Sequence, residues 1–164
     1  MKPQRTPADK IYSQEQLLAY LGDWKTKGNI VFTNGCFDIL HLGHLDYLEK
    51  ASKLGQKLII GLNSDASVRR LKGDNRPINN EHTRALMLAH MTVVSAVVLF
   101  EEDTPFELIK KIVPDVLVKG SDYKIEEIIG SNVVLDNGGD VVTFDIVEGY
   151  STSTFINKIQ NGKS

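Results

Sequence analysis

Five apolar runs recur along the chain, and none shows the alternation of apolar and polar residues that marks a strand with one solvated face. They are NIVFTNG from Asn29, KLIIGLN from Lys57, AVVLF from Ala96, PDVLVKG from Pro114 and DVVTFD from Asp140. Unalternating runs rich in Val, Ile and Leu are typical of strands buried on both faces, as in a parallel sheet. We therefore predict a sheet of five parallel strands.

Helical patterns separate these runs. The first begins at Ser13, a favoured N-cap residue, and spaces Leu17, Leu18 and Leu21 along one face. Further patterns are HLDYLEKASKLG, with Gly55 as the expected C-cap, then NNEHTRALMLAHM, TPFELIKKI and STSTFINKIQNG. Strands that alternate with helices predict a single α/β domain with a doubly wound, Rossmann-like sheet flanked by helices.

Two segments fall outside this regular pattern. Residues 1–9 are polar, contain two prolines and are expected to form a flexible arm, which leaves residues 10–164 as the domain. The segment LKGDNRPIN, Leu71 to Asn79, is predicted to be the most flexible internal loop, and Lys72 lies within it.

Composition and charge narrow the class of protein. The chain has 164 residues, 41% of them apolar, and a formal charge of −2, which fits one soluble domain without the basic excess of a nucleic-acid binder. Cys36 is the only cysteine, so an internal disulfide is impossible and a reducing, cytoplasmic location is expected. We find neither an apolar run of about 18 residues nor a secretory signal, and expect no membrane partner.

The carboxyl ends of the predicted strands meet at one rim, where open α/β sheets bind ligands. Four segments reach it: Thr33-Asn34-Gly35, Asn63-Ser64-Asp65, Lys119-Gly120-Ser121-Asp122 and Gly149-Tyr150-Ser151. They are rich in Gly, Ser, Asp and Lys, which suits a polar ligand.

The segment VFTNGCFDILHLGH carries the clearest chemistry. Gly35 permits a close backbone approach, and His41 and His44 are spaced to share a face at the start of a helix. Imidazoles beside unpaired backbone N–H groups suit a developing phosphate charge. A chance pair of solvent-facing histidines is one alternative. A metal site using Cys36, Asp38 and both histidines is another, although the spacings of closed zinc sites are absent.

These residues carry a resemblance to a known family. H-x-G-H after a strand and a glycine turn resembles the signature of the nucleotidyltransferase superfamily, which transfers a nucleoside monophosphate from ATP or CTP to a phosphorylated acceptor. The ordered set TNGCFDILHLGHLDYLEKA, NSDASVRRLKG, RPIN, FEEDTP, PDVLVKGSDY and VEGYSTS is similar to the adenylyltransferases that make ADP-glycero-manno-heptose from heptose 1-phosphate. The resemblance covers roughly Ser13 to Ile159 and implies a role in surface-glycan synthesis, such as the lipopolysaccharide core.

The resemblance also implies roles for individual residues. His41, His44 and Lys72 are the expected catalytic residues, and Asp38 and Arg84 are expected to contact the acceptor. The expected nucleotide contacts are Thr33, Asn34, Gly35, Phe37, Gly43, Lys119, Gly120, Asp122, Tyr150, Ser151, Thr152 and Ser153. Simpler roles stay open for several of them: Ser151 as a helix cap, Asp122 as a loop cap, Phe37 as a core residue, Lys72 and Arg84 as surface residues.

Partners and rival functions follow from the same resemblance. It implies ATP and a sugar 1-phosphate as substrates, Mg²⁺ bound mainly through the ATP phosphates with no protein metal site, and a homodimer. A glycerol-3-phosphate cytidylyltransferase is the nearest rival, but Ile146 stands where such enzymes tend to carry an arginine. A nucleotide-binding module without turnover is a rival of another class. Many relatives are fused to a sugar kinase, for which this chain is too short, so we expect any such kinase to be a separate polypeptide.

Overall fold

One parallel sheet organises the protein. The computed structural model describes residues 6–121, 124–145 and 147–162. The strands are β1 Ile11–Tyr12, β2 Ile30–Gly35, β3 Lys57–Asn63, β4 Ala96–Phe100, β5 Val116–Gly120 and β6 Asp140–Phe144. In the described residues they pair in parallel in the order β1-β4-β3-β2-β5-β6. All five predicted strands are confirmed, but the predicted number is wrong, because β1 is a sixth strand.

Helices connect the strands. They are α1 Gln14–Lys25, α2 Leu42–Ser52, α3 Asp65–Lys72, α4 Glu81–Ala89, α5 Phe106–Ile112, α6 Ser131–Asp136 and α7 Thr152–Asn161, with short 3₁₀ helices at Pro7–Lys10 and Ile125–Glu127. Ser13 caps α1 as predicted. The C-cap of α2 is Lys53 rather than Gly55. Gly55 instead allows a close approach, since a Cβ there would lie 2.5 Å from the Asn29 carbonyl oxygen.

Helix α3 was not predicted from the sequence. Ser67 and Val68 are its only buried residues, and half of the segment DASVRRLK is charged, so this short polar stretch does not stand out as a helix although it is amphipathic. Ser64 caps it by accepting a hydrogen bond from the Ser67 N–H at 3.2 Å. Lys72 is therefore the last helical residue, and the predicted loop begins after it, at Gly73.

The core has two halves, one on each face of the sheet. Neighbouring residues of one strand point to opposite halves, so that Phe32 packs with α1, α5 and α6 while Val31 packs with α2 and α4. The buried stripe of α1 is Leu17, Leu21 and Trp24. The prediction that Leu18 shares this face is wrong, because its side chain is 38% exposed.

The strand order locates the ligand-binding rim. The chain runs outward from β2 through β3 to β4, then crosses back to β5 and continues to β6. The order therefore reverses between β2 and β5, and open α/β sheets bind ligands outside the strand ends at such a point. β2 ends there at Gly35 and β5 at Gly120.

The predicted N-terminal arm, residues 1–9, lies only partly within the described residues. Within the predicted arm, residues 1–5 lie outside the described residues, and Lys10 at the end of the 3₁₀ helix donates a hydrogen bond to the Met91 carbonyl at 3.0 Å. The flexibility of the arm stays a prediction.

None of the helices in the described ranges is both long enough and apolar enough to span a bilayer.

Candidate active site

A cleft of about 630 Å³ opens where the strand order reverses. Its walls come from the segment after β2, the first turn of α2, the end of α3 and the loop behind it, the ends of β5 and β6, and the start of α7. The predicted site residues that line it are Asn34, Gly35, Phe37, Asp38, His41, Gly43, His44, Lys72, Lys119, Gly120, Tyr150, Ser151, Thr152 and Ser153. The structure thus gathers residues that are up to about 120 positions apart in the sequence.

The two histidines lie side by side on the floor of this cleft. His41 is the N-cap of α2, and its carbonyl oxygen accepts a hydrogen bond from the His44 N–H at 2.9 Å. The ring centroids of His41 and His44 are 3.9 Å apart. Gly43 makes this possible, because a Cβ at that position would lie 3.1 Å from the His41 ring. The H-x-G-H spacing therefore places two imidazoles side by side just after β2, with their ring planes tilted by 32°.

The histidines are held in their neutral form. Burial lowers the pKa of His41, and burial followed by the charge of His41 lowers the pKa of His44 to about 4. The Nδ1 atoms of both rings and the Oδ1 atom of Asn34 are buried without a hydrogen-bond partner in the described part of the chain. Buried polar atoms are normally paired. Three such atoms beside one cleft indicate a position for a polar ligand or for water.

The start of α7 faces the histidines. His41 stacks on Phe155 of α7 with ring centroids 5.8 Å apart. Ser151 caps the helix by accepting a hydrogen bond from the Thr154 N–H at 3.0 Å, which confirms the capping alternative for this residue. Thr152 approaches the Ile39 carbonyl at 3.5 Å, and Ser153 is exposed. First-turn N–H groups lack intrahelical partners and favour anions. Ser151 can therefore cap α7 while the N–H groups of its first turn bind a phosphate.

Two predicted lysines reach the cleft from opposite sides. Lys119, at the end of β5, donates a hydrogen bond to the Asn34 carbonyl at 3.4 Å. Lys72, at the end of α3, is exposed and lines the opposite wall. The predicted contact at Asp122 lies outside the described residues.

Thr33 and Arg84 lie behind the cleft wall rather than on it. Thr33 is buried, with its hydroxyl 2.8 Å from the Tyr47 hydroxyl. The fully buried Arg84 guanidinium donates to the carbonyl oxygens of Asn79, Cys36 and Asn63 at 2.7–2.9 Å, and to the carboxylate of Asp65 at 2.7 Å. Neither side chain lines the cleft, and their predicted contacts with substrate stay predictions.

Asp38 lines the cleft, but its carboxylate oxygens are hydrogen-bonded to other groups of the protein. Its carboxylate accepts hydrogen bonds from Arg76 Nε at 2.7 Å, the Ile78 N–H at 2.9 Å and the Asn79 N–H at 2.8 Å. Burial alone would raise the pKa of this carboxyl, but the donors of Asn79, Ile78 and Arg76 outweigh burial and hold it below the usual value. Asp38 is therefore an ionised anchor for the loop that follows α3.

Arg76 is a cleft residue that the sequence did not single out. The segment RPIN contributed to the family resemblance, but its arginine had no assigned role. Its link to Asp38 spans 38 positions, so no local pattern reveals it.

The alternative of a metal site is not supported. Among the residues that the structure describes, no group of three or more His, Cys, Asp or Glu side chains is arranged to hold a metal ion. Cys36 lines the cleft, and burial raises the pKa of its thiol, which disfavours the thiolate that metal binding requires.

Comparison with known proteins assigns this architecture to a family. The sequence model of the family described as Cytidylyltransferase-like matches residues 32–158, which is more than half of the chain. The chain belongs to this family. The match includes both histidines and the start of α7, so the residues that line the cleft all lie within the matched span.

Curated relatives of this family are similar over almost the entire chain. One is the "Bifunctional protein HldE" of Helicobacter hepaticus, 56% identical over 154 residues that make up 94% of this chain. The protein of the same description from Campylobacter jejuni is 54% identical over the same share. The chain spans about a third of the length of these relatives, 31% and 32% respectively.

Solved structures agree with the family and the fold. A lipopolysaccharide core biosynthesis protein from Thermoplasma volcanium has a TM-score of 0.60 and 31% identity, over 76% of this chain and 99% of that one. A pantoate-β-alanine ligase from Francisella tularensis has a TM-score of 0.59 at 14% identity, over 82% of this chain and 66% of its own. The second likeness shows the shared α/β fold alone.

Proposed function

We propose that the protein transfers AMP from ATP to a heptose 1-phosphate, giving ADP-glycero-manno-heptose and pyrophosphate. The observation that carries this proposal is the pair of adjacent imidazoles of His41 and His44, whose ring centroids are 3.9 Å apart, between the end of β2 and the start of α7. A neutral imidazole carries one N–H group, which can donate a hydrogen bond to a phosphate oxygen. A triphosphate in the cleft supplies negative charge that then favours the protonated rings.

The α-phosphate is placed against the histidine pair, with the rest of the triphosphate running toward α7. Thr152 and Ser153 offer hydroxyl groups, and the first turn of α7 offers backbone N–H groups to the β- and γ-phosphates. Lys119 borders the same side of the cleft at the end of β5. This arrangement leaves the side nearer β3 for the acceptor.

The reaction is an in-line displacement at the α-phosphorus. An oxygen of the acceptor's phosphate forms the new bond, and the bond from the α-phosphorus to the bridging oxygen breaks, so that its electron pair leaves with pyrophosphate. The attacking group is already anionic, so a general base is unnecessary. Catalysis then consists mainly of positioning and of stabilising charge, which His41, His44 and Lys72 provide.

Mg²⁺ fits this scheme as part of the nucleotide substrate. The described residues offer no cluster of three or more ligating side chains, so we propose that the ion enters on the ATP phosphates and is held mainly by them. When bound, it neutralises charge on the departing pyrophosphate. The homodimer implied by the family resemblance stays a prediction.

The identity of the acceptor rests on sequence likeness. The ordered motifs from TNGCFD to VEGYSTS are similar to those of adenylyltransferases that form ADP-heptose. The solved relative from Thermoplasma volcanium is described as a lipopolysaccharide core biosynthesis protein, which agrees with a surface glycan as the destination.

A pyrophosphate-release screen tests the proposal. ATP and CTP are each offered with heptose 1-phosphate, mannose 1-phosphate, glycerol 3-phosphate and ethanolamine phosphate. We expect release above background with ATP and heptose 1-phosphate, and loss of that release in His44→Ala. Release with CTP and glycerol 3-phosphate would assign the rival function, and no release with any pair would favour a binding module.

A further inference from the structure

The loop after α3 presents one arginine to the cleft in a fixed orientation. Arg76 lines the cleft with a side chain that is only 17% exposed, and its Nε donates to the Asp38 carboxylate at 2.7 Å. No described residue forms a hydrogen bond with its two Nη groups. A guanidinium held through Nε alone keeps a planar pair of N–H donors that matches an oxyanion.

The orientation of Arg76 is enforced by a reciprocal clamp. Asp38 is 1% exposed and also accepts the N–H groups of Ile78 and Asn79, while the Asn79 side-chain amide donates back to the Asp38 carbonyl at 2.7 Å. Four hydrogen bonds therefore join residue 38 to the 76–79 segment. Losing the carboxylate would release the arginine together with its loop.

Arg84 ties this clamp to the sheet. Its buried guanidinium donates to the carbonyls of Asn79 and Cys36, and so joins the two loops that carry Arg76 and Asp38. The same group bonds the Asn63 carbonyl at the end of β3 at 2.9 Å. Buried networks in which the donors are satisfied hold one geometry. Arg76 thus lies on a rigidly held loop, on the β3 side of the histidines.

We propose that Arg76 binds the phosphate group of the acceptor through its Nη atoms, with Asp38 as the positioning residue that orients it. This inference rests on the proposed function. An in-line displacement needs the attacking oxygen opposite the leaving pyrophosphate. Lys119 lies at the end of β5, which pairs with one side of β2, whereas Arg84 joins the loop of Arg76 to the end of β3, which pairs with the other side. Arg76 lies on the β3 side, where the second anion must be held close to the first.

Substitution of Arg76 tests the contact. Arg76→Gln should raise the KM for heptose 1-phosphate by about 10- to 100-fold, the range expected for lost hydrogen bonds to a charged group, and leave the KM for ATP within about twofold. Arg76→Lys should fall between, since it keeps the charge but not the paired donors. Arg69→Gln, on an exposed residue of α3, is the matched control and should change neither constant. An equal rise in KM for both substrates, together with a lowered Tm, would overturn the proposal.

A double-mutant cycle separates positioning from direct contact. Asp38→Asn should raise the KM for the acceptor selectively, and Asp38→Asn/Arg76→Gln should be no worse than Arg76→Gln alone, because the first residue acts through the second. Additive losses would make Asp38 an independent acceptor ligand and overturn its positioning role.

A binding measurement keeps this inference separate from the identity of the acceptor. Inorganic phosphate is titrated by calorimetry into wild type and Arg76→Gln, both saturated with a non-hydrolysable ATP analogue. We expect binding by wild type and at least about tenfold weaker binding by the variant. No binding by wild type, or equal binding by both, would overturn the assignment. If wild type fails to turn over heptose 1-phosphate, the proposed function fails, and this titration still decides the role of Arg76.

Discussion

Acid should destabilise the wild-type protein more than a variant that lacks His44. Burial and the neighbouring His41 lower the pKa of His44 from the ordinary 6.5 to about 4 in the folded protein. Between these two pH values the unfolded chain binds a proton that the folded chain does not. The free energy of unfolding therefore falls as the pH falls from about 6.5 to about 4.

The size of this effect follows from the difference between the two pKa values of His44. The pKa of His44 differs by about 2.5 between the folded and unfolded chains, and each pH unit changes the free energy of unfolding by about 1.36 kcal/mol, which sets an upper limit of about 3.4 kcal/mol. The His44 ring is partly exposed, so solvent reduces the effect, and we expect a loss of about 1–3 kcal/mol. His44→Gln removes this contribution and leaves that of His41.

Urea unfolding at pH 7.5, 6.5, 5.5 and 4.5 measures the difference. Wild type should lose about 1–3 kcal/mol more than His44→Gln between the highest and the lowest pH. His82→Gln, an exposed position on α4, is the control and should follow wild type. If the free energy of unfolding of wild type and of His44→Gln changes equally with pH, the reasoning is refuted. An NMR titration that places the pKa of His44 near 6.5 would also refute it.

Three further substitutions test the catalytic roles. His41→Ala should lower kcat by about 10² or more, the loss expected for one donor to transition-state charge, with little change in ATP affinity. Lys72→Ala should lower kcat/KM at nearly constant Tm, because Lys72 is exposed at the end of α3. Thr152→Val should weaken the use of ATP by about 1.5–3 kcal/mol, the contribution of one hydrogen bond to a charged group. Steady-state kinetics and thermal melts measure all three.

Each of these predictions has an outcome that would contradict it. Near-normal turnover by His41→Ala would remove the histidine from the phosphate site. A Lys72→Ala protein with a much lower Tm and normal specific activity would make that lysine structural. Unchanged constants for ATP in Thr152→Val would leave the start of α7 with a capping role alone.

The buried parts of the fold could be predicted from the sequence, and the marginal parts could not. Strands β2 to β5 were predicted because burial on both faces forces long apolar runs. Strand β6 is a partly buried edge strand, and it was predicted from the apolar residues of its run DVVTFD. Strand β1 has two residues and pairs only at the edge, with Ile11 beside Val97, so it leaves no pattern. Helix α3 is short, half of its residues are charged and it buries Ser67 and Val68 alone, so it was not recognised although its Ser64 cap is present.

The same division holds for the site. The histidine pair is local, three positions apart, and its spacing on a helix start suffices to place both rings together. The Asp38–Arg76 clamp joins two loops through tertiary contacts, and the sequence alone favoured a direct acceptor contact for Asp38. Arg84 was likewise expected at the acceptor, whereas the fold buries it behind the wall. Partners of this kind appear only once the chain is folded.

A competition assay with product identification tests the central claim most directly. Wild-type protein receives equal ATP and CTP together with equal heptose 1-phosphate and glycerol 3-phosphate, and the products are resolved by mass spectrometry. We predict ADP-heptose as the main product, formed in equal amount to pyrophosphate. This expectation rests on the ordered motifs from TNGCFD to VEGYSTS, which are similar to those of adenylyltransferases that form ADP-heptose. CDP-glycerol as the main product would contradict the account.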